Sequence, residues 1–248
     1  MNKIIKVVKI LNMKLTMKGE IKMKLSKETL TVLNNFSNIN ANILIKEGNN
    51  IRTRSESNSI YSEANLTDRF PMDFGISDLH NFLNTYNIFN EPELTFSDEK
   101  VNIKEGNAEY DYHRASERVL TFPPYDKNIV LKDYKSKFQI DKDQFKNIIK
   151  AANAIKNISS NKDSIIRFYC NNSDIIVEAK LSKDEPMKNV FRINLGSDYE
   201  IVSSFDVSVN SSKFNLIDGD YEIEIYERFI KLRHSQLDLF YVLACEIL

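Results

Sequence analysis

Phe145, Ile148, Ile149, Ala152 and Ile155 recur at helical spacing, with Lys142, Lys146, Lys150, Asn153 and Asn157 opposite them. That pattern predicts an amphipathic helix over 141–157. Leu79, Phe82, Leu83 and Tyr86 share one face of a second helix over 77–89. A third starts within Leu25-Ser26-Lys27-Glu28-Thr29-Leu30, where Ser26 can accept an orphan backbone N–H and Glu28 suits the helix dipole. Strand-like runs cover 72–76, 93–96, 101–103, 205–209, 221–226, 229–233 and a strongly apolar 239–244. Ser97-Asp98-Glu99-Lys100 and Asp218-Gly219-Asp220 are turns, and a short fourth helix is expected over 210–217.

The pattern repeats at an offset of 115 residues. Leu25-Ser26-Lys27-Glu28-Thr29-Leu30 has its counterpart in Ile140-Asp141-Lys142-Asp143-Gln144-Phe145, each with an apolar residue, a cap, Lys and an acid. At the same offset, Glu63-Ala64-Asn65-Leu66 meets Glu178-Ala179-Lys180-Leu181. Each half then continues through strands, a helix and a hairpin. Between the halves, Pro123 and Pro124 cannot belong to an interior strand, so this stretch is an extended connector. The expected organisation is a basic N-terminal extension (1–22), a first domain (23–122), a connector (123–136) and a second domain (137–248).

Composition narrows the class. With 248 residues, 42% hydrophobic and 28% charged, the chain is a globular protein and not a disordered one. No apolar run is long enough to span a membrane. Cys170 and Cys245 are too few for a disulfide scaffold, and His80, His113 and His234 match no metal spacing. The net charge of −1 conceals an asymmetry: residues 1–22 hold six Lys against Glu20, so the remaining 226 residues carry net −6. A body that acidic does not bind nucleic acid by bulk charge, so any positive surface must be local. The extension itself reads as a weak signal peptide, an amphipathic surface helix (Ile4, Val7, Val8, Leu11), or a dispensable tail before Met23; the last is the expectation.

Several stretches carry a resemblance. Residues 23–40 (MKLSKETLTVLNNFSNIN) and 59–68 (SIYSEANLTD) resemble the start of the sliding clamps of tailed bacteriophages. Residues 77–83 and 93–98 are similar to the second helix and hairpin of the first clamp domain, there and in the eukaryotic clamp PCNA; 239–244 matches PCNA before the C-terminus. The resemblance covers 23–248, densely in the first hundred residues and sparsely beyond. It implies an α+β DNA clamp fold: two similar domains per chain, helices lining a ring lumen, antiparallel sheets outside, and a homotrimer around double-stranded DNA. It further implies a non-enzymatic processivity factor that tethers a replicative DNA polymerase in the cytoplasm of an infected bacterial cell. An ATP-dependent clamp loader would open the ring, with no cofactor and no membrane involved.

On that resemblance Lys142, Lys146 and Lys150 face DNA, joined by Lys27 at the repeat-equivalent position and by Lys213 in the expected fourth helix. From the residues alone the same lysines are an ordinary solvated helix face. Asn34, Asn35, Asn38, Asn81, Asn84 and Thr85 lie on the faces of the first-domain helices, where they can bond phosphate oxygens but release no counterions. Ile129, Val130 and Leu131 of the connector, with Val242, Ala244 and Cys245 of the last strand and a possible contribution from Phe229, are either packing residues or, by resemblance, a groove for partner peptides. Ring closure in the family pairs edge strands. One is expected at 110–115 and its partner within 165–170 or 190–195.

Catalytic signatures are missing from the sequence: no phosphate-binding loop, nucleophile elbow, zinc-protease helix or paired-cysteine motif occurs. The competing functions are a monomeric nucleic-acid-binding or scaffold module and a DNA-processing enzyme such as a nuclease.

Overall fold

The computed structural model describes residues 14–15, 21–158, 163–182 and 189–246. It divides into two compact units, Met1–Glu56 with Glu63–Pro123, and Ser57–Ser62 with Pro124–Leu248. Among the described residues no helix is long and apolar enough to cross a membrane.

The first unit contains β1 (Lys14–Leu15), β2 (Ile21–Met23), α1 (Lys27–Ser37), β3 (Ile43–Ile45), β4 (Gly48–Arg54), most of β5 (Ile60–Phe70), β6 (Phe74–Ile76), α2 (Leu79–Tyr86), β7 (Glu93–Phe96), β8 (Lys100–Glu105) and β9 (Ala108–His113). Strands β1-β2-β7-β8-β9 form one antiparallel sheet, and β3 pairs with β6. Most of 1–22 lies outside the described residues. Even so, Lys14↔Lys22 and Leu15↔Ile21 pair antiparallel and add β1 to this sheet. Ser26 caps α1 by accepting the Thr29 N–H at 3.1 Å. Asp68 adds a second anchor there, accepting the Ser26 N–H at 2.6 Å and the Thr29 hydroxyl at 2.7 Å. Helices α1 and α2 pack on each other, and Phe70 and Phe74 meet Phe96 edge-on in the core. At Gly75 any Cβ would stand 2.5 Å from the Ala115 carbonyl oxygen, so only glycine fits.

The second unit contains β10 (Ser136–Ile140), α3 (Lys142–Ile158), β11 (Ser164–Asn171), β12 (Asp174–Leu181), β13 (Phe191–Gly196), β14 (Glu200–Ile201), β15 (Asp206–Asn210), β16 (Tyr221–Ile225), β17 (Phe229–His234) and β18 (Leu239–Ala244). One sheet runs β13-β12-β11-β15 and the other β14-β10-β16-β17-β18, with Ser57–Ser62 beside β18. There Ser62 Oγ donates to the Phe240 carbonyl at 2.9 Å and the Ala244 N–H to that of Ser59 at 2.9 Å. Phe145, Phe168, Phe214 and Tyr221 form an aromatic core.

The helix expected over 210–217 does not form. Asn210 caps a single 3-10 turn, Ser211–Lys213, by accepting the Ser212 N–H at 3.0 Å. Two tyrosine hydroxyls then take the backbone of Ile217: Tyr221 donates to its carbonyl, and its N–H donates to Tyr241 at 3.4 Å. With Phe214 buried against Phe145 and Phe168, the long-range contacts outcompete further helical turns.

Candidate nucleic-acid interface

Helix α3 is fixed at its start by a reciprocal cap. Asp141 Oδ1 accepts the Gln144 N–H at 2.8 Å, and Gln144 Oε1 accepts the Asp141 N–H at 3.3 Å. The Lys142 N–H donates to Asp220 Oδ1 at 2.7 Å. Phe145, Ile148, Ala152 and Ile155 are buried, and the helix lies across β11, β12 and β13. Packing of that face turns Lys142, Lys146, Lys150 and Asn153 to solvent. The side chain of Asn157 lies outside the described residues.

The three lysines are not equivalent. Lys142 Nζ stands 3.5 Å from Asp218 Oδ2, the two side chains 51% and 65% exposed. Lys156, further along, pairs with Asp163 at 3.5 Å. Lys146 and Lys150 have no ion-pair partner among the described residues, and neither does Lys27 on α1. Lys213 is a correction. Its ammonium donates to the Ala244 carbonyl at 2.9 Å and to Glu246 Oε1 at 2.7 Å, and its side chain is 14% exposed. It ties the C-terminal segment to the second unit and presents no free charge.

The first-unit helices offer little positive surface. Asn34, Asn38, Asn81 and Asn84 are exposed, whereas Asn35 and Thr85 are buried, correcting their placement on the solvent face. Asn34 and Asn38 each donate through Nδ2 to the carbonyl four residues back, at 2.8 and 2.9 Å. Part of their donor capacity is therefore used within α1.

In the connector, Ile129 is 43% and Val130 72% exposed, while Leu131 is half-buried. Along β18, Leu239, Tyr241 and Leu243 point to the core, leaving Val242 and Ala244 half-buried on the opposite side. The Cys245 N–H donates to the Arg228 carbonyl at 2.8 Å, and burial pushes its thiol up to about 12 despite the nearby Lys213 charge. Phe229 is half-buried and stacks on Tyr226 with ring centroids 4.6 Å apart.

Strands β9 and β13 each lie at one edge of a sheet, with β1 and β15 at the opposite edges. Strand β9 pairs only with β8 among the described residues and exposes Tyr110; β13 pairs only with β12 and exposes Phe191. The alternative edge at 165–170 is overturned: β11 is bonded by β12 on one side and β15 on the other, so its backbone groups are already satisfied.

Residues 25–119 match the family of DNA polymerase processivity factors. The sliding clamp of Vibrio phage KVP40 is 29% identical over 228 residues, covering 91% of this chain and 100% of its own. That of Escherichia phage RB69 is 24% identical over 233 residues, covering 90% and 97%. Along nearly its whole length the chain is similar to the phage sliding clamps. Among solved structures, the Helicobacter pylori beta clamp bound to a DNA ligase peptide aligns with a TM-score of 0.66 at 16% identity. That alignment covers 92% of this chain and 66% of the bacterial one, and establishes the shared DNA clamp fold.

Sequence reasoning missed two features of the clamp. One is the neutralising contact of Asp218 on Lys142. The other is a charged cluster on β11, β12 and β13, where buried Glu178 faces Arg167, Lys180 and Arg192. The 115-residue offset held a signal for the second, because Arg52 and Glu63 fall on Arg167 and Glu178.

Proposed function

We propose that three copies of this chain close into a ring through β9 of one and β13 of the next, with duplex DNA inside and the α3 lysines toward its phosphates. The ring catalyses nothing. It acts by topology, keeping a replicative polymerase on its template in the host cytoplasm, and an ATP-dependent loader opens it. The connector residues 129–131 with Val242, Ala244 and Cys245 receive short apolar segments of those partners. The observation that carries this reading is α3: an apolar face locked to a sheet, and opposite it Lys146 and Lys150, exposed and without acidic partners among the described residues. A few such lysines per chain, Lys146 and Lys150 on α3 with Lys27 on α1, suit a sliding contact, because each phosphate contact releases counterions and too many would arrest motion.

The test is retention on DNA. Clamp loaded on nicked circular DNA should survive salt and be released when the circle is cut. K146A/K150A should lower retention or loading without unfolding the protein, since both side chains are exposed. Equal retention on circular and linear DNA would sink the topological reading.

A further inference from the structure

The lysine face of α3 begins inside an acidic collar. Asp141 and Asp143 flank Lys142 in sequence, Asp220 bonds its backbone, and Asp218 lies 3.5 Å from its ammonium. An exposed ion pair of this kind contributes little to stability, because two long side chains must be ordered to make it. Here one partner is already ordered. His234 is buried and accepts the N–H groups of Gln236 and Leu237 at Nδ1, both at 3.1 Å, which leaves the Nε2 proton for the Asp218 carbonyl at 3.2 Å. Gly219 lies so close to that ring that a Cβ would stand 2.2 Å from Nε2. Ser235 donates through N–H and Oγ to the Asp220 carbonyl, both at 3.0 Å, and Tyr221 and Tyr241 hold Ile217. The loop backbone is pinned on both sides of Gly219 from β16, β17 and β18, so Asp218 projects its carboxylate toward Lys142 from a fixed position and less backbone freedom is lost in the pairing.

We propose that residues 218–220 attenuate the DNA contact of α3: Asp218 withholds Lys142 from phosphate, so this helix meets the duplex through Lys146 and Lys150. This rests on the reading that α3 faces DNA. A phosphate approaching Lys142 must displace Asp218 and meets the repulsion of Asp141, Asp143 and Asp220. Contact is thereby confined to the middle of the helix, where a neutral or acidic start and a basic centre limit the number of phosphates engaged at once.

The experiment is equilibrium binding of the full-length protein to a fluorescently labelled duplex, followed by anisotropy over a range of KCl concentrations. Asp218→Asn keeps the backbone carbonyl that His234 bonds and removes only the charge. It should bind about two- to five-fold tighter at low salt. Its plot of log affinity against log salt should steepen by about 0.9 for each phosphate newly engaged. The gain should vanish in the D218N/K142A double variant. A D218N protein that matches wild type while K146A/K150A is weakened overturns the attenuation and leaves the α3 reading standing. A gain that persists without Lys142 also overturns it, marking a general charge effect. No loss in K146A/K150A removes the α3 reading and this proposal with it.

Discussion

Arg52 holds a guanidinium nitrogen 3.3 Å from the Glu63 carboxylate, and the two side chains are 7% and 15% exposed. At the repeat offset, Arg167 stands 3.9 Å from Glu178. The two halves share an ion pair at the repeat offset although most surrounding residues differ. In the second unit it has grown: Arg192 Nε donates to Glu178 at 2.6 Å and Lys180 lies 3.9 Å away.

Glu178 is 3% exposed at its side chain, so its removal leaves three cations around an empty acceptor site. Glu178→Ala should destabilise the protein by about 2–4 kcal/mol in urea unfolding. A loss under about 1 kcal/mol would mean that Arg167 and Lys180 find water instead.

The same network predicts an acid dependence. Arg167 donates Nε to Asp206 Oδ1 at 2.7 Å and a second N–H to Oδ2, and this pairing lowers the Asp206 carboxyl below its ordinary range despite partial burial. A carboxylate depressed in the folded state stabilises it above the unfolded value, and that contribution is lost as pH falls through the folded one. Asp206→Asn should therefore cost about 0.5–1 kcal/mol at neutral pH, a figure held down by the exposure of Asp206. The difference from wild type should shrink in urea midpoints as pH falls below the ordinary aspartate range of about 4. A pH-independent difference would assign the effect to packing.

Assembly is the next test. Phe191 is exposed on the open edge of β13 and Tyr110 on that of β9. Phe191→Glu should convert a trimer into monomers in sedimentation velocity while leaving the circular dichroism spectrum unchanged. A variant that still sediments as a trimer would remove β13 from the interface.

Ile129 and Val130 are exposed in a stretch without regular structure, so a charge there should leave the fold intact. Ile129→Asp should abolish stimulation of the cognate polymerase and preserve the oligomer. Undiminished stimulation would take Ile129 out of the groove.

Cys245 should resist alkylation. With its thiol pushed up to about 12 by burial, about one molecule in ten thousand carries the thiolate at pH 8, so iodoacetamide should label it slowly until the protein unfolds. Rapid labelling of the native protein would mean that the C-terminal segment opens readily.

Local chemistry made much of the fold legible. Ser26 and Asp141 announce their helices through side chains that bond backbone within three residues, and the run at 239–244 coincides with β18. Apolar spacing also separated the buried from the exposed side of α3 correctly. What escaped depends on partners distant in sequence. Lys213 was read from its own neighbourhood, but its ammonium is taken by Glu246 and the Ala244 carbonyl, more than thirty residues away. Asn35 and Thr85 sit at the margins of amphipathic faces, where helix-to-helix packing and not polarity decides burial. Strand order is likewise non-local: nothing within 165–170 reveals that β12 and β15 bond it from both sides.

One turn of 3-10 helix at Ser211–Lys213 stands where the first unit has the eight-residue α2. The two halves are therefore unequal, and a threefold ring of the kind proposed would not be a disguised hexamer. Its inner wall would alternate asparagine-rich stretches, with Lys27 their one candidate contact, and more cationic α3 faces once per protomer. A duplex rotating as it advances would feel three shallow wells per revolution instead of six.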